Sequence, residues 1–170
     1  MPDEQQYKTI LVDPPWAALQ AGPLGVRGQD SVVSMDALYR LSVSRLCGPD
    51  AHLWLWVSNT SLAVGMAVME AWGFSYGSCL TWIKPCFGLG MYLRNQTEHL
   101  LLGIRGTAPV LFRGQGTWFY APVEEYSRKP EEQYVIIERC SPGPYLELFA
   151  RKRHPGWDAW GTEAATNVTL

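Results

Sequence analysis

The residues Asp13-Pro14-Pro15-Trp16 set a carboxylate, two prolines and an indole directly behind an apolar run. Proline lacks an N–H and holds φ near about −65°, so neither Pro14 nor Pro15 can continue a sheet ladder. What results is a stiff corner that offers only acceptors, the Asp13 carboxylate and the main-chain carbonyls, with a flat indole beside it. In open α/β sheets ligands bind just beyond the carboxyl ends of the strands. An acceptor-only corner next to an indole therefore suits a flat heterocycle that carries an amino group. The plain alternative is a strand-ending turn with a packing tryptophan, and these four residues alone leave both readings standing.

The elements that must position this corner follow from pattern. Residues 7–12 ("YKTILV") are short, β-branched and mostly apolar, as in a buried strand. Ala17 to Val33 is Gly-rich and aperiodic, a loop of a length that is usually functional. Ser34 reads as the N-cap of one helix that carries Leu38, Leu41 and Leu46 and ends near Cys47-Gly48-Pro49. His52 to Val57 is a second strand, Asn59 to Trp72 a helix closed by Gly73, and Phe74 to Ile83 a third strand interrupted by Gly77. Lys84 to Thr97 is a loop with aromatic and basic residues. Glu98 to Ile104 is a fourth strand, and Val110-Leu111-Phe112 an edge strand. Pro130 falls near a helix N-terminus with Glu131 and Glu132 in the first turn, favourable for the helix dipole. Tyr145 to Ala150 and Trp157 to Gly161 close the series as strands. Strands alternating with helices predict an α/β fold with a largely parallel sheet, in a single domain over 1–170 with no room for a separate second one. Three long loops would then meet at one sheet edge.

Composition narrows the classes. A chain of 170 residues with 47% hydrophobic and 18% charged residues is folded rather than disordered. No apolar run approaches the roughly 18 residues of a membrane span, and the start "MPDEQQYK" is polar and acidic, so a cytoplasmic protein is expected. Cys47, Cys79, Cys86 and Cys140 lack CxxC spacing, and His52, His99 and His154 are far apart, so no metal is expected. A net charge of −2 argues against strong non-specific nucleic-acid binding. Yet Lys84, Arg94, Arg105 and Arg113 have only Glu98 among them, and Arg151-Lys152-Arg153-His154 form a compact basic group. Each is either a solvated face or a polyanion contact.

Six segments occur in order: Asp13-Pro14-Pro15-Trp16, Trp54-Leu55-Trp56-Val57, Thr81-Trp82-Ile83-Lys84, residues 98–106 ("EHLLLGIRG"), Arg128-Lys129-Pro130-Glu131 and Glu147-Leu148-Phe149-Ala150-Arg151. From about Tyr7 to Glu163 this order resembles the S-adenosylmethionine-dependent N6-adenine methyltransferases of the DPPW type, the family that includes the catalytic subunit of the mRNA adenosine methyltransferase. The resemblance implies a Rossmann-like class I methyltransferase fold, circularly permuted, with the catalytic strand first, the cofactor strand late and helices on both faces. Such a permutation accounts for the lack of a G-x-G-x-x-G after the first strand.

The same resemblance implies methyl transfer from S-adenosylmethionine, leaving S-adenosylhomocysteine, to the N6 amine of adenine in DNA. The same reaction on RNA is the alternative, and a non-catalytic subunit that binds nucleic acid or a partner is the third reading. No metal and no membrane are implied, and a homodimer or a partner subunit stays open. Asp13 and the Pro14 carbonyl would accept hydrogen bonds from the target amine, Pro15 would shape the corner and Trp16 would pack beside the adenine. Lys129 would meet the methionine carboxylate of the cofactor. Glu147 and Asp13 would also belong to the cofactor site, with Phe149, Arg151 and His154 along the adenosine part. Where relatives often carry Gly-Asn-Gln or Gly-Asn-Glu, this chain has Gly161-Thr162-Glu163; Thr162 can still hydrogen-bond and Glu163 can accept from ribose hydroxyls. Where relatives often carry Tyr-x-Thr-Met, residues 30–33 read "DSVV". A base within a duplex cannot reach such a corner, so the target would be flipped or single-stranded. Lys84, Arg94 and Arg113 are the candidates for contact with its backbone.

Overall fold

The computed structural model describes residues 6–16, 34–90, 92–124, 128–161, 164, 166 and 168. Seven strands form one sheet in the order β5-β3-β4-β2-β1-β6-β7. They are β1 (Tyr7–Val12), β2 (Cys47–Val57), β3 (Ser75–Ile83), β4 (Thr97–Arg105), β5 (Trp118–Tyr120), β6 (Tyr145–Leu148) and β7 (Trp157–Trp160). β1 lies between β2 and β6, parallel to both, and β6/β7 and β3/β5 are also parallel. Only β4 runs against its neighbours β2 and β3. The expected α/β architecture with a mostly parallel sheet is observed.

β1 sits inside the sheet because Ile10, Leu11 and Val12 are apolar on both faces, and all three are fully buried. Alternation along β2 separates two cores. Leu53, Leu55 and Val57 join Ile10 and Val12 on one face, while Trp54 and Trp56 join Leu11 on the other. The first face is covered by α1 (Met35–Arg40), α2 (Val43–Leu46) and α3 (Leu62–Ala71), and the second by α4 (Glu132–Cys140). Helix α3 stops where predicted: Gly73, at φ 82°, gives its N–H to the Glu70 carbonyl while Phe74 gives its own to Met69, a Schellman closure. Gly77 marks the register shift between Tyr76 and Ser78 in β3.

Two expectations are corrected. The single helix predicted from Ser34 through Leu46 is two helices. Ser34 does cap the first, accepting from the Ala37 N–H, but Leu41 turns extended. The Leu38 carbonyl, which a continuing helix would give to residue 42, instead accepts from the Trp72 indole at 2.9 Å and the Leu41 N–H at 3.2 Å. Cys47-Gly48-Pro49 then begin β2. The edge strand placed at Val110-Leu111-Phe112 is absent, since the Leu111 N–H is spent on the Cys140 carbonyl at the end of α4 and Phe112 lies under the Arg139 guanidinium. The edge is β5, at Trp118–Tyr120. Residues 17–33, the predicted long loop, lie outside the described residues, and no described helix is long and apolar enough to cross a membrane.

Candidate active site

Because β1, β2, β3, β5, β6 and β7 all run one way, their carboxyl ends share one edge of the sheet. The reversed β4 delivers its first residues, Thr97 and Glu98, to that same edge. Register fixes the face. Glu147 pairs with Leu11, and Glu98 with Trp82, so both project on the α4 side, as does Asp13 two residues beyond Leu11. Lys129, immediately ahead of Pro130 and α4, reaches over this face.

The side chains meet there as an alternating chain of charge. Lys129 Nζ lies 3.1 Å from Asp13 and 3.2 Å from Glu98, and Lys84 pairs with the other oxygen of Glu98. Beneath them, Lys129 stands 5.3 Å over the Trp56 ring and Lys84 4.5 Å over the Trp82 ring. The two indoles pack edge-on at 6.2 Å, and their N–H groups donate to Gln133 and to the Ala121 carbonyl. This is what Trp56 of the second segment and Trp82 of the third do: they floor a site. Burial alone would pull the Lys129 ammonium toward neutrality, but the carboxylates of Asp13 and Glu98 outweigh it and hold its pKa above the ordinary lysine value. Burial likewise pushes Glu98 up, and the two lysines reverse that and bring it below the usual carboxylate value.

Glu147 differs. Burial raises its pKa to about 7 against a favourable hydrogen bond from the Tyr134 hydroxyl at 2.8 Å, with the nearby carboxylates of Asp13 and Glu131 adding to the rise. The Tyr134 ring stacks on His154 with centroids 3.8 Å apart, and Trp157 closes edge-on. Phe149, at the end of β6, takes a positive φ of 62°, a strained value for a residue with a side chain, and packs edge-on against Trp160. Just beyond, Gly161 crosses Ala150 so closely that a Cβ would meet the Ala150 carbonyl oxygen at 2.2 Å, so only glycine fits. Arg151, Lys152 and Arg153 are exposed, and Lys152 pairs with Glu131.

Trp16 is only 7% exposed; its indole donates to the Trp56 carbonyl at 2.6 Å and lies within the first core. The indole N–H is thus spent on the core and anchors the corner from below. Pro14 is buried, and its carbonyl accepts the Trp16 N–H at 2.8 Å with one lone pair, leaving the other. Pro15 is exposed. Of the proposed backbone contacts, Lys84 is drawn into the charge chain and Arg94 is exposed on the β3–β4 loop. Arg113 follows Phe112, beside the far end of α4, and is not brought to this edge. Thr162 and Glu163 lie outside the described residues. Glu98, the one acid between Lys84 and Arg113, and Tyr134 are the members not singled out from sequence. Its isolation among bases was the available signal for Glu98. Among the described residues no group of three or more His, Cys, Asp or Glu is gathered as metal ligands.

A mostly parallel sheet with a carboxylate corner after an interior strand and a strained turn after the neighbouring strand has the form of a Rossmann-like methyltransferase. Residues 7–163 match the MT-A70 family, and the chain belongs to it. It is 33% identical over 170 residues to a probable N(6)-adenosine-methyltransferase MT-A70-like protein of Oryza sativa subsp. japonica, covering 93% of this chain and 23% of that protein. To the N(6)-adenosine-methyltransferase catalytic subunit METTL3 of Homo sapiens it is 28% identical, covering 93% and 28%. To the type II methyltransferase M.MunI of Mycoplasma sp it is 25% identical over 186 residues, covering 96% and 80%. The chain thus spans about a quarter of the length of the plant and animal relatives named here.

Proposed function

We propose that this chain transfers a methyl group from S-adenosylmethionine to the N6 amine of adenine in a nucleic acid, with DNA as the leading substrate. The observation that carries the reading is Asp13, held at the carboxyl edge by Lys129 at 3.1 Å and set beside the Pro14 carbonyl. An adenine amine is a poor nucleophile because its lone pair is delocalised into the ring. Asp13 and Pro14 accept its two hydrogens, which localises that lone pair, and the carboxylate stabilises the positive charge that grows on nitrogen. Holding the reacting atoms at roughly 3–3.5 Å supplies much of the remaining rate.

The residues present fit the cofactor. Lys129 has three donors, of which Asp13 and Glu98 engage two, so one remains for a methionine carboxylate. Asp13 and Glu147 offer acids to a cationic ligand; Phe149 and Arg151 follow β6 directly and His154 stacks on Tyr134, and these three would take the adenosine part. S-adenosylmethionine, when bound, supplies a methyl group already activated as a sulfonium, so the chemistry asks for no Lewis acid.

DNA is favoured by the match to a type II methyltransferase of which the chain spans most of the length; RNA is favoured by the higher identity to proteins named adenosine methyltransferases. The test is transfer of labelled methyl to matched DNA and RNA oligonucleotides by the wild type and Asp13→Ala, with product nucleosides identified by mass. N6-methyladenine from DNA, absent with the variant, is the expected result. The same product from RNA alone would move the substrate and keep the mechanism. No transfer and no cofactor binding would make the chain a scaffold.

A further inference from the structure

We propose that the β3–β4 loop and strand β5 form an aromatic platform on which bases flanking the target adenine of an unpaired strand stack, with Arg94 against its backbone. This rests on the nucleic-acid reading above and names the surface that would hold the polymer.

The protein buries Trp56, Trp72 and Trp82 almost completely, yet leaves a group of aromatic rings in solvent at the β5 edge of the sheet. Phe87 is 73% exposed, Tyr92 97%, Trp118 60% and Tyr120 59%. Single exposed apolar residues are ordinary, but a contiguous group marks a binding surface. Here Trp118 and Tyr120 are neighbours on β5, and Tyr120 pairs with Ile83, from which Lys84 leads into the loop that carries Phe87 and Tyr92.

The loop is braced rather than slack. Lys84 N–H donates to the Gln96 carbonyl, Gly88 N–H to the Asn95 carbonyl, and the Asn95 amide to the Leu89 carbonyl. These bonds tie the stem of the loop on either side of Phe87. On β5, Phe119 turns into the α4-side core, so Trp118 and Tyr120 share the opposite face, about 6.6 Å apart along the strand. That interval is about twice the 3.4 Å rise of stacked nucleotides, so two rings can engage a run of bases.

Charge selects the occupant. From Lys84 to Val123 the only acid is Glu98, already neutralised by two lysines, while Arg94 is exposed and has no acidic partner among the described residues. Aromatic rings with uncompensated positive charge are the equipment of single-strand binding, because every base has a face to stack and every linkage a phosphate. Trp118 and Tyr120 project from the face of the sheet opposite the chain Lys84–Glu98–Lys129–Asp13, and the two sets meet at the carboxyl edge that β3 and β5 share with β1. Four strand spacings separate β5 from β1, about 19 Å. A strand crosses that distance in about six stacked nucleotides.

The test compares the wild type, the double variant Trp118→Ala/Tyr120→Ala and the control Val135→Ser, which alters an exposed position on α4. Fluorescence anisotropy with a labelled single-stranded 12-mer containing one adenine, as DNA and as RNA, is measured beside calorimetric binding of S-adenosylmethionine and sedimentation of the free proteins. The double variant is expected to bind the oligonucleotide at least about tenfold more weakly, with cofactor affinity and sedimentation unchanged and the control like the wild type. Equal oligonucleotide affinity in all three proteins, with methyl transfer intact, would overturn the platform and leave the reaction standing. A double variant that sediments as a smaller species with unchanged oligonucleotide affinity would assign the patch to a second copy of the chain. A wild type that binds cofactor but neither binds nor methylates any oligonucleotide would remove the nucleic-acid reading and the platform together.

Discussion

The two ends of helix α4, about 13 Å apart, are tied into the sheet by opposite kinds of polar cluster. At its start, Lys129, Asp13, Glu98 and Lys84 form a charged chain that is partly open to solvent and keeps spare donors and acceptors. Just past its end, Ser141 accepts the Trp54 indole N–H at 2.9 Å and donates to His52 Nδ1 at 2.7 Å, and His52 Nε2 donates to the Ala108 carbonyl at 3.2 Å. Ser141 and His52 are wholly buried, and that set is neutral and closed. Closure means nothing is left for a ligand, so this end serves the fold. The open end retains capacity at the cost of holding charges out of water, and that is the mark of a site.

Substitutions separate the two ends. Asp13→Ala is expected to lower methyl transfer by about a thousandfold or more while leaving the melting temperature close to that of the wild type; an unfolded variant would break the contrast. Ser141→Ala strands the Trp54 N–H and His52 Nδ1, and is expected to cost about 2–4 kcal/mol in urea unfolding with activity per folded molecule retained. Loss of activity in a fully stable Ser141→Ala would show that the far end also works on substrate. Glu98→Gln keeps the shape and removes one charge between two lysines; kcat/KM is expected to fall about tenfold, and an unchanged value would confine Glu98 to support.

The smallest effect is in pH, where the ends respond with opposite sign. Burial holds the His52 pKa below its ordinary value, so its contribution to stability is full above about pH 6.5 and is lost as pH falls. Glu147 is raised from 4.5 to about 7, so the folded state takes up its proton first. Its cost is full above pH 7 and is relieved as pH falls toward 4.5. Glu147→Gln is therefore expected to melt higher than the wild type at pH 8, by an amount on the order of 1–3 kcal/mol, and to lose that advantage near pH 5. An advantage equal at both pH values would place its origin in packing instead.

Much of the frame was legible in sequence because it is written in local pattern. The apolar run at Tyr7–Val12, the alternation around Trp54 and Trp56, the Ser34 cap and the Gly73 stop all depend on near neighbours. The break at Leu41 was not legible, since it needs the Trp72 indole from another helix to take the Leu38 carbonyl. Nor was the direction of β4, which pairing with β2 and β3 decides. That direction is what brings Glu98 to the site. The anchoring of Trp16 was not legible for the same reason: its partner, the Trp56 carbonyl, is 40 residues away.

The position of β1 also sets the order in which the protein can be completed. The strand that carries the Asp13 corner is made well before its second neighbour: 133 residues separate Thr9 from Pro142, whose carbonyl takes the Thr9 hydroxyl at the foot of β6. At about 5–20 residues per second a ribosome needs roughly 7–27 s to make that stretch. During that time the apolar edge of β1 stays without β6, so a nascent chain halted in the interval would present it to chaperones or to other unfinished copies.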